Sequence, residues 1–277
     1  MVSIIIPACN EESNIESCLM PLISMGGDVN FEIIVICNGC TDNTAKIVKG
    51  LSQDIICIET DIPSKVNAIN LGELNANFFP RVYLDADVKI DYIAGISMSL
   101  TLNSHHFVTS LVPKMDLSES SWFVCAFYDI WLSLPYCKAG MIGSGVYALS
   151  EEGRARFEKF PDIIADDGYV RALFKEHERT VTKGHYAIVT APKDLISLVK
   201  IKTRSRLGRY QLKDKFPELL ENETKDFQGA FTALFLDFKL WPKLFVYISV
   251  NLISRFRARY QYFTKQTKWE RDDSSRT

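Results

Sequence analysis

The sequence lacks a disulfide framework. Its seven cysteines, at positions 9, 18, 37, 40, 57, 125 and 137, are odd in number and follow no paired spacing. That excludes a small disulfide-stapled scaffold. No basic n-region precedes the first apolar run, Val2–Ile6, so no signal peptide is expected and a reducing cytosol is the simplest setting. Cys37 and Cys40 form a CxxC, but no second pair or histidine cluster lies nearby to complete a metal site. Two small residues in a strand-end turn is therefore the expected reading there, ahead of a zinc or redox site. Internal repeats and low-complexity segments are absent. The C-terminal region is rich in aromatics, yet its longest uncharged stretch, Leu244–Ser254, has only eleven residues. A bilayer span needs about twenty, so no transmembrane helix is expected. No glycine- and base-rich loop follows the first apolar run. Asn10-Glu11-Glu12 stands there, which counts against a triphosphate-binding loop. No reader motif for nucleic acid accompanies the basic residues, so nucleic acid is not an expected partner.

What is present can build a full core. With 277 residues and 47% hydrophobic content, one domain with an appendage is the natural expectation. Net charge is −2, but it is unevenly spread. Residues 1–192 carry 14 Lys/Arg against 24 Asp/Glu, and residues 193–277 carry 18 against 10. An acidic body with a basic end predicts that the second part meets something anionic, a diphosphate or a lipid headgroup surface.

The first ninety residues alternate strand and helix signals. Strands are predicted over Val2–Ile6, Phe31–Ile36, Ile55–Ile58 and Arg81–Leu84. Helices are predicted over Glu11–Ile23, Thr41–Leu51 and Ser64–Asn75. Short continuous apolar runs with intervening helices predict an α/β fold, a mostly parallel Rossmann-like sheet with helices on both faces. Ligands of such sheets bind beyond the carboxyl ends of the strands. Those ends, Pro7–Asn10, Cys37–Asp42, Asp61–Lys65 and Asp85–Asp87, are all polar and turn-like. Further on, His106–Val112 reads as a strand and Trp122–Leu134 as a helix whose aromatic face is expected in the core. Gly143-Ser144-Gly145 is a backbone-permissive segment leading into a strand, Val146–Leu149. A short helix is expected after Ser150, and the segment Ile163 to Gly168 opens another that runs through Phe174.

Asp85-Ala86-Asp87 directly follows the apolar Val82-Tyr83-Leu84. Alternation along an extended chain end sends both carboxylates to one side, about 7 Å apart by strand rise. Two carboxylates so close repel unless a cation sits between them. A hard divalent ion, Mg²⁺ or Mn²⁺, fits that role, with a nucleotide diphosphate completing its shell. The competing reading is a pair of Asp residues in a strand-terminating turn.

Five segments in order then resemble one family, the inverting, nucleotide-sugar-dependent glycosyltransferases of family 2, whose fold is called GT-A. Ser3-Ile4-Ile5-Ile6-Pro7-Ala8-Cys9-Asn10-Glu11-Glu12 is similar to the family's "IPAYNEE" opening, with Cys9 in the aromatic slot. Ile36 to Thr44 resembles "DDGSTDGT", Ser64 to Asn70 resembles "GKAGALN", Asp85-Ala86-Asp87 is the DxD, and Ala165-Asp166-Asp167 resembles the "ED" pair. The resemblance spans roughly residues 2–210. It implies a divalent cation cofactor held by Asp87 with Asp85. It implies a base, Asp167 ahead of Asp166, that deprotonates an acceptor hydroxyl, against the alternative of two acidic residues capping a helix. Pro7, Ala8, Glu11, Asn38 and Asp42 would line the nucleoside pocket, and Asp85 would also face the donor. Lys65 opens a helix and could reach a phosphate, against the alternative of a solvated surface lysine. The family commonly has an acidic residue after the second strand. Asn38 stands there instead, presenting donor and acceptor to a pyrimidine edge.

A further departure lies downstream. Processive and membrane-embedded relatives carry QxxRW, and this chain has Ile201 to Arg209 without the Gln or Trp. A basic loop is expected in its place, with eight Lys/Arg against two Asp from Lys193 to Lys215. Arg204 is the expected diphosphate or acceptor-phosphate contact, against the alternative of a solvated basic helix face. The missing motif predicts a single-sugar transferase. Residues 227–263, with Phe231, Leu234 and Phe235 at their start and Arg255, Arg257, Arg259, Lys265 and Lys268 near and beyond their end, fit an interfacial segment on an anionic leaflet, a helix packed on the body or a dimer contact.

The resemblance thus implies a transferase domain over residues 1–212, a helical, apolar and basic extension over 213–270, and a disordered tail over 271–277. The implied partners are a nucleotide-sugar donor, a UDP-sugar first among them, and a glycan or lipid-linked acceptor, with a cytoplasmic setting on the inner face of the membrane. The enzymatic alternative is a sugar nucleotidyltransferase. The non-enzymatic one is a transferase-like scaffold at the membrane. The region between Leu111 and Gly143 is expected to shape the acceptor site.

Overall fold

Val2–Ala8 (β1) is buried on both faces, because successive residues of a strand point to opposite sides and both sides here are apolar. Ile4 and Ile6 join Val35 in one cluster with Ile15 and Leu19 of α1 (Ile15–Ile23) and Val48 of α2 (Thr44–Leu51). Ile5 joins Ile34 and Ile36 in a second cluster with Val66 and Ile69 of α3 (Lys65–Asn75). This is the covered parallel sheet that the unbroken apolar runs predicted. The computed structural model of the chain describes residues 1–23, 31–138, 143–222 and 237–264.

The remaining strands are β2 (Phe31–Asn38), β3 (Ile56–Thr60), β4 (Arg81–Leu84), β5 (Val88–Lys89), β6 (Val108–Asp116), β7 (Val146–Leu149) and β8 (Arg179–Thr190). They form one eight-stranded sheet in the order β3-β2-β1-β4-β7-β6-β8-β5. β1, β2, β3 and β4 pair in parallel. β7 runs antiparallel to both β4 and β6. β6 therefore points the same way as β1 and β4, and its C-terminal end joins theirs at one edge of the sheet.

The expected helices begin late where side chains compete for the backbone. The first starts at Ile15 because the amides of Asn14 and Ile15 both donate to the Glu11 carbonyl, at 2.9 Å each, closing a turn. The second starts at Thr44 because the Asp42 carboxylate accepts from the Thr44 amide and hydroxyl, at 3.0 and 2.6 Å. Ser64 caps α3 as expected, accepting from the Asn67 amide at 3.2 Å.

Four elements have no counterpart in the sequence reading: β5, β8, α4 (Tyr92–Thr101) and the short α6 (Pro135–Lys138). α4 is rich in Ser, Gly and β-branched residues, which carry little helical preference. The remaining helices are α5 (Trp122–Ser133), α6 (Pro135–Lys138), α7 (Glu151–Arg154), α8 (Asp166–Leu173), α9 (Leu195–Lys215) and α10 (Trp241–Phe263). Of the two readings of the basic segment, a loop or a helix face, the structure shows a helix, α9. Asp194 caps it, accepting from the Ser197 amide at 2.9 Å, and Gly208 lets it pass close to Ala165, where a Cβ would come within 2.8 Å of the Ala165 Cβ.

α10 is fastened to the body. Leu244, Tyr247 and Val250 pack with Phe127 and Ile130 of α5 and Leu198 of α9. Arg206 donates to Ser254 Oγ at 3.1 Å and to Asn251 Oδ1 at 2.6 Å. The other face of α10 is bare, with Phe245 73% and Phe256 70% exposed. No described helix is long and apolar enough to cross a membrane. Phe231, Leu234, Phe235, Lys265, Lys268 and the tail 271–277 lie outside the described residues.

Candidate active site

The strand ends converge on a cavity of about 330 Å³ at the carboxyl edge of the sheet. β1 contributes Pro7, with Cys9 and Glu11 just beyond it. β2 contributes Asn38, β4 is followed by Asp85 and Asp87, and the N-terminus of α8 supplies Asp166 and Asp167. Lys65 from α3 and Arg204 from α9 complete the set. Every sequence-named site residue except Ala8 and Asp42 thus lines one space. Ala8 is buried in the sheet, where its carbonyl accepts from the Cys40 thiol at 3.4 Å. Asp42 lies beside the cavity, holding the start of α2 and accepting from the Glu12 amide at 3.1 Å.

Lys65 is the electrostatic centre. Its ammonium lies 2.7 Å from Asp85 Oδ1 and 3.0 Å from Asp166 Oδ1. Burial works against its charge, but Asp166, Asp85 and Asp167 outweigh that and raise its pKa well above the ordinary lysine value. Asp166 is buried, and burial pushes its carboxyl up to about 6, with Lys65 pulling it down and Asp167 and Asp85 pushing it further up. The Tyr147 hydroxyl donates to Asp166 Oδ2 at 3.3 Å, so both oxygens of Asp166 are engaged by protein. Tyr147 is itself stacked on Tyr83, with centroids 4.8 Å apart. Asp167 differs from its neighbour. It is only partly buried and faces the cavity, with one oxygen accepting from the Gly168 amide at 2.6 Å.

Gly143 and Gly145 explain why these acids can come together. Both have left-handed φ values, 122° and 80°. A Cβ at Gly143 would lie 3.0 Å from Asp167 Oδ2, and one at Gly145 would lie 2.5 Å from Val88 Cγ2 and 3.5 Å from Asp85 Oδ2. The Gly145 carbonyl accepts from the Asp85 amide at 2.8 Å, pinning the DxD turn to the start of β7. The sequence marked this segment only as permissive.

Asn38 is 3% exposed, lines the cavity and forms no side-chain hydrogen bond among the described residues. Glu11 is also buried, and its carboxylate accepts from Asn14 Nδ2 at 3.0 Å. Five carboxylates line the cavity, Glu11, Asp85, Asp87, Asp166 and Asp167, against three basic side chains, Lys65, Lys202 and Arg204. That excess suits a cation. Among the described residues no three His, Cys, Asp or Glu side chains form a protein-built metal cage. A hard ion such as Mg²⁺ instead takes one or two carboxylates and leaves its other positions to water and ligand oxygens. Asp85 and Asp87 fit that requirement.

The aromatic face of α5 lies in the core as expected, with Phe127 and Tyr128 both buried. Tyr128 and Trp131 also line the cavity, together with Lys202 of α9. Nothing in the periodicity separates these rings from core rings. Cys37 lies 4.0 Å from the Cys57 sulfur in the sheet, and Cys40 donates to a backbone carbonyl, so the CxxC thiols are engaged in packing and turn bonds.

Comparison with known proteins bears on this geometry. Residues 3–91 match the family described as glycosyl transferase family 2. No curated protein matches the sequence. Among solved structures, the chain is similar to the mannosyltransferase PcManGT from Pyrobaculum calidifontis, in complex with GDP-Man and Mn²⁺, with 16% identity, 96% of this chain and 87% of that one covered, and a TM-score of 0.67. It is similar to glucosyl-3-phosphoglycerate synthase from Mycobacterium tuberculosis, in complex with Mn²⁺, UDP and glucosyl-3-phosphoglycerate, with 18% identity, 77% and 79% covered, and a TM-score of 0.55. It is also similar to S. aureus TarS, with 14% identity, 98% and 93% covered, and a TM-score of 0.52. At such identities these structures speak to the fold, which is the GT-A arrangement expected from the sequence. The family match over residues 3–91, about a third of the chain, covers the first four strands and Asp85-Ala86-Asp87, and there the chain is similar to the family 2 glycosyltransferases.

Proposed function

We propose that the protein transfers a single sugar, with inversion, from a nucleotide diphosphate sugar to an acceptor hydroxyl, using Mg²⁺ or Mn²⁺. The observation that carries this is the convergence of Lys65, Asp85, Asp87, Asp166, Asp167 and Arg204 on one cavity at the carboxyl edge of the sheet. Asp87 and Asp85 hold the divalent ion, which when bound supplies Lewis acidity to the departing diphosphate. Asn38 and Glu11 face the nucleoside, where the free amide of Asn38 suits the edge of a uracil. Arg204 contacts phosphate oxygens from the α9 side. Asp167, the partly exposed acid, takes the proton of the acceptor hydroxyl. The acceptor oxygen then bonds to the anomeric carbon from the face opposite the diphosphate, and the bond from that carbon to the diphosphate oxygen breaks. Asp166 serves by holding Lys65 in place.

The acceptor in this reading belongs to envelope, glycolipid or polysaccharide synthesis. The bare aromatic face of α10, with Phe245, Phe256 and the exposed Arg255 and Arg259, rests on an anionic leaflet at its cytoplasmic side. In domain terms, residues 1–212 carry the chemistry and 213–270 the surface contact. The test is a donor screen with UDP-, GDP- and dTDP-sugars in Mn²⁺ or Mg²⁺, with a membrane-lipid extract as acceptor source. Release of nucleoside diphosphate from one donor, abolished by EDTA, is expected. No release from any donor, with no metal-dependent nucleotide binding, would refute the assignment.

A further inference from the structure

One wall of the cavity holds a cation without a carboxylate. The Lys202 ammonium lies 5.0 Å from the ring centroid of Phe127, 5.4 Å from that of Tyr128 and 4.6 Å from that of Trp131. All three rings stand on α5, and Lys202 reaches them from α9. No acidic side chain figures among the charges around it, only Cys137 and Arg206. It forms no ion pair among the described residues. Burying an ammonium is costly unless something compensates, and aromatic faces offset only part of that cost. Burial accordingly pushes Lys202 down to about 8. It is still mostly protonated at neutral pH, a cation held next to open space.

The sheet order says which side of the reaction this wall serves. Asn38 ends β2, and Met115 and Thr190 lie at the ends of β6 and β8. β1, β4 and β7 stand between β2 and β6, so those ends are about 19 Å apart along the sheet at the usual strand spacing. Asp85, just after β4, falls between them. Met115 packs in the same cluster as Trp131, which places the aromatic wall across the acidic centre from the nucleoside side. α9 also lines the cavity with Arg204 and Ser205, and β8 ends there at Thr190, all able to donate hydrogen bonds. The five cavity carboxylates come from other elements, after β1 and β4 and at the start of α8.

We infer that Lys202, boxed by Phe127, Tyr128 and Trp131, is an acceptor-side subsite for an oxyanion, and that the acceptor carries a phosphate group near the hydroxyl it presents to Asp167. This rests on the transferase reading for the word acceptor. The anion site itself does not depend on that reading. A phosphate fits better than a neutral sugar because the ammonium sits against three rings with no carboxylate among the charges acting on it. It also supplies the missing counter-charge for the half-buried cation.

The test uses the full chain, first saturated with Mn²⁺ and whichever nucleoside diphosphate stabilises it. Calorimetric titrations with glycerol 3-phosphate, inorganic phosphate and glycerol follow, and a parallel arm adds vesicles of phosphatidylcholine with phosphatidic acid. Saturable binding of the phosphates but not of glycerol is expected. Lys202→Met should weaken it at least about ten-fold, Lys202→Arg should retain it within about three-fold, and nucleoside diphosphate affinity should change little in either. Binding confined to soluble esters or to vesicles, and lost in Lys202→Met, supports the site and names the source of the phosphate. Equal binding of glycerol, unchanged phosphate affinity in Lys202→Met, or displacement of the nucleoside diphosphate by phosphate would overturn the inference. Absence of any metal-dependent nucleotide binding in the wild type would instead count against the transferase reading.

Discussion

Removing the Lys65 ammonium should cost the fold stability in a way that depends on pH. Its contacts are 2.7 Å to Asp85 and 3.0 Å to Asp166. In Lys65→Met the apolar stem remains, so packing is largely kept, but buried Asp166 is left beside Asp85 and Asp167 with no cation. Breaking a buried pair by removing one partner costs about 3–5 kcal/mol, and the partial exposure of Lys65 and Asp85 reduces this to about 2–4 kcal/mol. The sign follows from Asp166. Burial, Asp167 and Asp85 already raise its carboxyl from 3.8 to about 6 in the fold despite Lys65, and losing Lys65 raises it further. A carboxyl with a raised folded pKa binds a proton that the unfolded chain has released, so its ionisation removes stability as pH climbs from the unfolded to the folded value. The deficit of Lys65→Met should therefore be full at pH 8. At pH 5 Asp166 is protonated in both proteins, and the deficit should shrink to about 1 kcal/mol or less, the worth of the more exposed Lys65–Asp85 pair. Urea unfolding followed by circular dichroism at both pH values measures this, with unchanged m-values as the control. Lys65→Met/Asp166→Asn should regain most of the loss at pH 8. An equal deficit at pH 5 and pH 8, or no recovery in the double variant, would refute the reasoning.

The other expectations concern the chemistry and the surface. Asp87→Ala should abolish the rise in melting temperature that a nucleoside diphosphate gives together with Mn²⁺; an undiminished rise would remove Asp87 from the metal site. Asp167→Asn should retain donor binding and lower kcat by about 10²–10⁴-fold, and near-normal turnover would move the base elsewhere. In the wild type, kcat/KM should fall as pH drops below about 6, because protonated Asp166 no longer fixes Lys65; Asp166→Asn should be low at all pH values and lack that limb. Phe245→Ser/Phe256→Ser should reduce co-sedimentation with phosphatidylserine vesicles several-fold without lowering the melting temperature, since both rings are exposed; unchanged sedimentation would point the bare face of α10 elsewhere.

Much of this was legible in the chain because it is local. The unbroken apolar run Ile4–Ile6 dictates a strand buried on both faces, and alternation sends Ile4 and Ile5 to opposite layers. Strand ends carry the polar turns, so Pro7, Asn38, Asp85 and Asp87 fall at one edge of the sheet, and Ser64 marks where α3 starts. Identity and order of such residues are enough to expect a nucleotide-binding edge with an acidic centre. Tertiary structure alone decided the rest, because it depends on distances between segments far apart in sequence. Which of Asp166 and Asp167 is buried follows from where Lys65 and Tyr147 reach, 101 and 19 positions away from Asp166 in the chain. Asp42 turned toward Thr44 and Glu12 because local hydrogen bonds were within reach. The basic stretch became α9, since Gly208 could pack on Ala165. Lys202 met its three rings only because α5, α9 and α10 share one cluster. A sequence fixes which groups the chain owns; electrostatic partners and burial belong to the space they are folded into, and there they set which acid is raised, which lysine is held charged and which is left facing open space.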